Sequence, residues 1–460
     1  MKCGYSKKCI NPPIGIPIAG SYEIAHSKDI IDDLHARAVA FSDGETSSVI
    51  ISVDLCHMET EEQNLCRKRI SDKTGIDQDA ILILCTHTHA GPYSKVTQHV
   101  IDLDPTSVPL INGYVQFLTE QIVESAIEAY ENLLPSKLFS ASGKAENVSN
   151  VRRYLMKDGT TITNPGVHNP DILSPLGEPN NTVKLLKVVR EGGKDLYIVN
   201  FGMHATTVHG RTYISADYPG VVCATLEKAL DAESMFIQSA EGDVVQINTL
   251  PSKEILELNR RDDENLSKNK LVAIYSGQVI AGEVLKIHNL AKEVTDGSVA
   301  FKKCELKIPS NKTGGNYADA LKIDKLYQAG RHHELPYEGM ALVTLVANAQ
   351  RIIRMQNEPN HYTYYAHVVS VGDYAFVGLP GEPFTEIRNR IDASSAFSEN
   401  TIVCALTNCS TQYFPSTKAF SEGGYEVATT SIGPGSDDVV VDVVNVALKE
   451  LKNTFLKGDL

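Results

Sequence analysis

Three short segments of the chain carry residue types that can hold a metal ion and move protons. The first, Cys85-Thr86-His87-Thr88-His89-Ala90-Gly91-Pro92, sets two histidines two apart, directly after an apolar run and before a Gly-Pro break. In an extended chain the side chains of i and i+2 point the same way. Both imidazoles are therefore expected to face a cleft at the carboxyl end of a strand, where open α/β sheets bind ligands. Neutral imidazole suits Zn²⁺, although an isolated His-x-His is as readily an ordinary loop pair. The second segment, Asn200-Phe201-Gly202-Met203-His204-Ala205-Thr206-Thr207, again ends a strand in a histidine. It is followed by Ser215-Ala216-Asp217-Tyr218-Pro219-Gly220, where Asp217 reads as a helix cap and Pro219 as a first-turn residue. The third, Leu379-Pro380-Gly381-Glu382-Pro383-Phe384, fixes a carboxylate in a rigid turn. That carboxylate is either a metal ligand or a solvated turn residue.

The elements that must position these segments follow from hydrophobic patterning. Residues 47–54 and 80–85 are short runs rich in Ile, Val and Leu and read as buried strands. Between them residues 59–74 read as a helix stopped by Gly75, a strand–helix–strand spacing that predicts a parallel pair in a covered sheet. A long amphipathic helix is expected over residues 111–133, strand-like pattern over 136–150, and a polar loop over 152–170. Residues 197–202 and 235–239 read as strands flanking a helix that runs from Asp217 to about residue 230. Residues 254–292 are mostly helical, 299–308 a strand, 338–356 a helix, and 366–370 with 374–379 a hairpin around Gly372-Asp373. Residues 439–456 form a terminal helix. The expected fold is α/β: one large catalytic domain spanning residues 1–460, with a mixed, largely buried sheet covered by helices and a helical excursion over 254–356.

Composition bounds the function. The 460 residues are 42% hydrophobic and 22% charged, as in a globular enzyme, and 43 basic against 57 acidic residues give a net charge of −14. That balance argues against a nucleic-acid groove or stable association with an anionic membrane. There is no secretory signal and no apolar run of about 18 residues, so a cytoplasmic protein is expected. Nine singly scattered cysteines without a CxxC pair fit reduced, mostly buried thiols.

Taken together and in order, the segments resemble the amino-terminal catalytic domain of the neutral/alkaline (non-lysosomal) ceramidase family. HTHAGP is similar to that family's HTHSGP, FGMHATT to its second histidine segment, SADYPG to its SGDWPG, and LPGEP to its PGE turn. Glu241-Gly242-Asp243-Val244 resembles its GDV segment, and Thr411-Gln412-Tyr413 with Gly424-Tyr425-Glu426 its paired tyrosines. The resemblance implies one zinc held by His87, His204, Glu382 and Tyr413. Two imidazoles and two oxygen donors suit a borderline-soft cation. It further implies His89 as the acid–base residue, Arg152 as a group that binds a substrate oxygen or stabilises the oxyanion, and Tyr425 as a hydrogen-bond donor to the tetrahedral intermediate.

Two departures qualify the resemblance. The family's catalytic serine after GDV is replaced by Val245, and the next residue is Gln246 where a proline is usual. A valine side chain neither attacks nor donates. The family's carboxyl-terminal immunoglobulin-like domain is expected to be absent, as in shorter ceramidase-like bacterial proteins. The sequence thus predicts a zinc-dependent hydrolase that cleaves a C–N amide bond in a small-molecule, N-acylated substrate. The alternatives are a zinc hydrolase of an ester or glycosidic bond, and a catalytically inactive metal- or ligand-binding protein; true ceramidase activity is disfavoured by Val245. In the polar loop Lys157, Asp158, Asn164 and His168 are candidate ligand contacts or plain turn residues. His332-His333 reads as a surface pair.

Overall fold

The computed structural model describes residues 1–20, 24–95, 105–208, 212–264, 270–295, 297–312, 315–409 and 412–458. Thr411 and part of the expected helical stretch, residues 265–269, lie outside them. Its main sheet is built from β1 (Lys2–Cys9), β2 (His35–Ser42), β3 (Ser47–Val53), β4 (Ile81–Cys85), β5 (Leu134–Lys144), β6 (Thr182–Arg190), β7 (Leu196–Phe201) and β8 (Glu233–Gln238). The strand order is β8-β7-β6-β5-β1-β2-β3-β4, with the short strand Lys292–Glu293 added beside β5. Pairing is antiparallel through the middle and parallel at both edges, between β3 and β4 and between β7 and β8. Each parallel edge is a strand–helix–strand unit, joined by α1 (Thr60–Thr74) on one side and α3 (Asp217–Leu230) on the other. Gly75 ends α1 with φ 76°, a left-handed conformation that glycine adopts without penalty.

A second sheet, β9 (Val299–Pro309), β10 (His361–Val371), β11 (Tyr374–Gly378) and β12 (Thr401–Cys404), lies against the first. Alternation along the strands explains the layers. Ile50, Leu82, Ile198 and Met235 point inward to meet Val369, Phe376 and Ile402 of the second sheet. Their neighbours Val49, Ile51, Ile81 and Ile83 point outward under α1 and α2 (Val108–Glu131). Val199 and Phe236 pack likewise under α3 and α5 (Leu271–Ile287), a helix that follows α4 (Lys253–Glu264). Beyond the second sheet, α8 (Thr385–Ser394) and α9 (Ser436–Gly458) cover Val368, Ala375, Val377 and Val403. With both faces of most strands buried, the apolar runs are continuous rather than strictly alternating. α6 (Tyr317–Gln328) and α7 (Gly339–Met355) lie between β9 and β10 in sequence. The expected helical excursion is thus interrupted by a strand of the second sheet.

The first sheet curls until its two edges meet. The Ser52 hydroxyl of β3 donates to the Phe236 carbonyl of β8 at 2.6 Å, although these strands stand near opposite ends of the order. Two expectations are corrected. The polar stretch 152–170 is no simple loop. Arg153–Met156 pairs with Thr161–Thr163 and with Ile172–Pro175 in a small antiparallel sheet, turned by Lys157-Asp158-Gly159. Strands of three or four residues are too short to leave a readable period. Asp217 is not the helix cap; that position is Ala216. The Asp217 carboxylate instead accepts from the Thr207 amide and hydroxyl, the Val208 amide and the Tyr218 amide.

Where the sheets join α1, His367 is buried beside Arg67, whose guanidinium donates to its Nε2 at 3.3 Å, with Asp79 at 3.6 Å. Burial, reinforced by Arg67 and Lys303, lowers its pKa to about 3. The folded ring therefore stays neutral while the unfolded chain, with an ordinary histidine pKa near 6.5, takes up a proton. The resulting stability is complete above about pH 6.5 and is lost as pH falls toward 3, at up to about 1.4 kcal/mol per pH unit. Thermal melts of wild type and His367→Gln between about pH 8 and pH 4 should show the wild type losing ground to the variant only on the acid side.

Candidate active site

His87 and His204 enter the site from the two parallel edges. His87 follows β4, and its amide donates to the Leu55 carbonyl at 2.9 Å. His204 follows β7, and its amide donates to the Val244 carbonyl at 3.1 Å. The two segments run side by side: Thr88 and Ala205 form a parallel bridge, and the His89 amide donates to the Ala205 carbonyl at 2.9 Å. Gln238, at the end of β8 and fully buried, ties the edges together. Its Nε2 donates to the carbonyls of Thr86 (3.0 Å) and Met203 (2.9 Å), the residues just before the two histidines.

The expected extended conformation of the His-Thr-His segment is not what forms. His87 has φ 64°, a left-handed conformation that is uncommon for a residue with a side chain. The two rings still converge, edge to face with centroids 4.7 Å apart. Nδ1 of His87 bonds the Cys56 carbonyl at 2.7 Å, and Nδ1 of His204 bonds the Glu241 carbonyl at 2.6 Å. These bonds place the N–H on Nδ1 and turn Nε2 of each ring toward the centre of the site. Both Nε2 atoms face Oε2 of Glu382, at 3.4 Å from His87 and 3.3 Å from His204.

Glu382 is held beside Tyr413 by register: Glu382–Pro383 pairs in parallel with Tyr413–Phe414, residue opposite residue. The Gly242 amide donates to the Pro383 carbonyl at 3.0 Å. A Cβ on Gly242 would stand 2.6 Å from the Glu382 carbonyl oxygen, so this close approach needs glycine. The Tyr413 ring stacks on His204 at 6.3 Å, and the Tyr425 ring lies 5.9 Å from that of Tyr413. Arg152 spans the floor of the site. Its guanidinium lies 5.1 Å from the Tyr413 ring centroid and donates to Glu426 (2.7 Å), the Gly242 carbonyl (2.8 Å) and His204 Nε2 (3.1 Å). His89 has its Nδ1 on the Gly20 carbonyl at 2.8 Å and its Nε2 3.2 Å from Nε2 of His87.

Charge in this pocket is set by burial and by close partners. Burial, helped by Arg152, pulls His204 down to about 3. Burial also opposes a charge on His87, yet the Glu382 carboxylate and Cys56 outweigh it and hold His87 well above the usual histidine range. Burial would raise Glu382, but His87 reverses that and keeps it well below the usual carboxylate range. Oε2 of Glu382 is buried without a hydrogen-bond partner. One ligand atom each from His87, His204 and Glu382 fall within 4.8 Å of one another. A buried carboxylate oxygen without a hydrogen-bond partner, facing two imidazole nitrogens, is a donor set suited to a divalent cation.

His87, His89, His204, Glu382, Tyr413, Arg152 and Tyr425 are thus brought into one cluster of ring contacts and hydrogen bonds. Others are placed elsewhere. Lys157 and Asp158 face solvent in the hairpin turn, Asn164 and His168 are exposed, and His332 and His333 are exposed as expected. Val245 is buried and pairs with Asn150, while the Gln246 amide clasps the Thr206 main chain at 2.8 Å. The sequence reading missed Gln238 and missed Glu426 as an anchor. The fully buried Glu426 carboxylate holds Arg152, accepts from Thr163 at 3.0 Å and stands 3.5 Å from Arg153. Replacing Gln238 by Leu should strip the Thr86 carbonyl of this donor, at about 1–3 kcal/mol, and leave the Met203 carbonyl with the Tyr218 hydroxyl. A chemical-denaturation midpoint unchanged from wild type would show that Gln238 does not tie the edges together.

The amino-terminal domain model of neutral/alkaline non-lysosomal ceramidase matches residues 21–301. Among solved structures, the neutral ceramidase of Pseudomonas aeruginosa aligns over 98% of this chain and 74% of its own, with 18% identity and a TM-score of 0.71. A ceramidase complexed with C2 aligns over 98% of this chain and 75% of its own, with 17% identity and a TM-score of 0.68. At such identities the solved structures speak for the fold. The family model spans more than half of the sequence and takes in the His87 and His204 segments, and the chain accordingly belongs to the neutral/alkaline non-lysosomal ceramidase family.

Proposed function

We propose that this protein is a zinc-dependent amidohydrolase acting on a small N-acylated substrate, with His87, His204, Glu382 and Tyr413 as the metal ligands. The observation that carries this reading is the buried Oε2 of Glu382, without a hydrogen-bond partner and facing Nε2 of both His87 and His204. Zinc held there would act as a Lewis acid toward a carbonyl and acidify a water molecule. The chain's own groups do the rest. With Nδ1–H fixed on the Gly20 carbonyl, His89 presents Nε2 as the acceptor for a proton, and the same atom returns that proton to the departing amine. Arg152 has two of its donors committed to Glu426 and Gly242. Nη1, now on His204 Nε2, is the donor that turns to a substrate oxygen once that lone pair is taken. Tyr425, beside Tyr413, supplies a further donor for the developing oxyanion.

Val245 bears on substrate choice. The position of the family serine here carries an apolar side chain, and the adjacent Gln246 lines a cavity of about 420 Å³ together with Asn147, Asn248, Ile255 and Leu258. That cavity has a mixed lining, in which Val148, Val272 and Tyr275 stand beside the carboxamides, and it is the hydroxyl missing at Val245 that disfavours ceramide. Among the described residues, no helix is long and apolar enough to cross a membrane.

Elemental analysis of tag-free protein should find about one zinc per chain. His87→Ala and His204→Ala should each lose it, and normal zinc content in both would sink the ligand assignment. His89→Ala should keep its metal and lose turnover by about 10²–10⁴-fold on short N-acyl amides, assayed beside ester and glycoside panels. A Cβ on Gly20 would lie 2.4 Å from His89 Nδ1. Gly20→Ala should therefore reproduce the kinetic loss of His89→Ala with zinc retained. For ceramide the decisive comparison is Val245→Ser against wild type on a fluorescent short-chain ceramide. Ceramide left untouched by both would retire it as a substrate, and ready turnover by wild type, as fast as by the variant, would overturn the substrate reading.

A further inference from the structure

The pocket holds a second donor set beyond the four proposed ligands. Cys56 is buried, at 3% exposure, and its Sγ lies 3.9 Å from Nδ1 of His87. One ligand atom each from Cys56, His87 and His89 fall within 4.8 Å of one another, as do those of His87, His204 and Glu382. Local structure fixes the thiol there. The chain leaving β3 turns so that the Leu55 carbonyl accepts the His87 amide and the Cys56 carbonyl accepts Nδ1 of His87. Nδ1 is thereby committed, which makes Nε2 the atom of that ring that can take a metal. Nδ1 of His89 is committed to Gly20, and its Nε2 lies 3.2 Å from that of His87. Cys56 shares an apolar cluster with Cys85 but differs from it in having imidazoles within reach. Among the described residues, Cys56 is the one cysteine grouped with imidazoles in this way.

We propose that Cys56, His87 and His89 form a second seat for a thiophilic divalent cation, and that its occupation excludes the seat made by His87, His204 and Glu382. A thiolate with two imidazoles is a softer set than two imidazoles with oxygen donors, and it selects soft, d¹⁰ cations. Loading transfers the thiol proton to solvent: Cys56 S–H and M²⁺ give a sulfur–metal bond and H⁺. Exclusion follows because both sets take Nε2 of His87. Occupation also engages Nε2 of His89, so a cation seated there inhibits. The exclusion rests on the proposed zinc site; the thiolate seat itself uses neither His204 nor Glu382.

Cadmium titrated into the metal-stripped full chain, followed by thiolate-to-cadmium charge-transfer absorption and by equilibrium dialysis, tests this. Wild type should develop the band over one equivalent and bind no second ion tightly. Glu382→Gln should keep the band. Cys56→Ser and Cys56→Ala should lack it, and His89→Gln should need an order of magnitude more cadmium to reach it. Zinc-loaded wild type should release one zinc for each cadmium bound. A band that survives both Cys56 variants, or no band in folded wild type, overturns the seat. Zinc and cadmium held together in one chain overturn the exclusion. A cadmium band in a protein that binds no zinc would leave the seat standing and remove the proposed catalytic site instead.

Discussion

Three groups stripped of water, two imidazoles and a carboxylate, are aimed at one point, and much of the structure serves to keep them there. Burying a carboxylate oxygen without a partner is costly, and nitrogen lone pairs facing it add repulsion. The main-chain carbonyls of Cys56 and Glu241 make this worse in a specific way, because they take the Nδ1 protons and force both Nε2 lone pairs inward. Positive charge must therefore reside between the groups. Without a cation the burden falls unequally. His87, next to Glu382 and remote from any guanidinium contact, is the ring that favours a proton, while His204 is kept neutral by burial and by Arg152. A divalent cation would relieve both rings at once and release the proton, which couples metal affinity to pH.

Holding that convergence requires joining chain segments that are far apart in sequence, and the curled sheet does this. A flat sheet with β4 and β8 at opposite ends would leave His87 and His204 at separate edges. Once curled, the ends of β4 and β7 meet, and Gln238 and the Thr88–Ala205 bridge fix their spacing. The carboxylate comes from the second sheet. β11 runs into the Glu382 turn, where Gly381 has φ 67° and its carbonyl accepts the Leu406 amide at 2.9 Å. The left-handed residues His87, Leu406 and Asn408 all belong to this junction. Asn408 accepts the Ile83 amide and donates to the Ile81 carbonyl, so it satisfies part of β4's outer edge. Strain of about 1–3 kcal/mol per such residue persists only where surrounding bonds over-determine it, and here they do.

The sequence made the strands and the metal-type residues legible, because each announces itself locally. β3 and β4 are apolar on both faces, Gly75 stops α1, and His87, His204 and Glu382 each stand at the end of an apolar run. What stayed hidden is what long-range contacts decide. Nothing in the spacing of Gln238 tells that it bridges two strands, and Glu426 looks like any acidic helix residue until Arg152 and Arg153 close on it. The left-handed turn at His87 was hidden for the same reason, since it follows from hydrogen bonds to Leu55 and Ala205. The stretch 152–170 was misread because its strands are shorter than any period they could display. Asp217 was misread because its capping chemistry is real but is directed at Thr207 and Val208 instead.

The substitution at residue 245 is best understood against this division between local chemistry and long-range support. Val245 pairs with Asn150 in the short ladder whose other rung joins Val244 to Val151. That ladder delivers Arg152, whose amide donates to the Asp243 carbonyl at 3.0 Å. A β-branched side chain suits such a strand at least as well as serine does. The exchange therefore removes a hydroxyl while leaving the scaffold beneath Arg152, Gly242 and Glu382 undisturbed. On the proposed mechanism no side-chain nucleophile is needed, because His89, Arg152 and Tyr425 handle the proton and the developing charge. What the loss removes is a hydroxyl from the strand that pairs with the segment leading to Arg152. The main-chain supports of the cluster around His87, His204 and Glu382 do not depend on which side chain stands at residue 245, since the ladder holds them through backbone bonds.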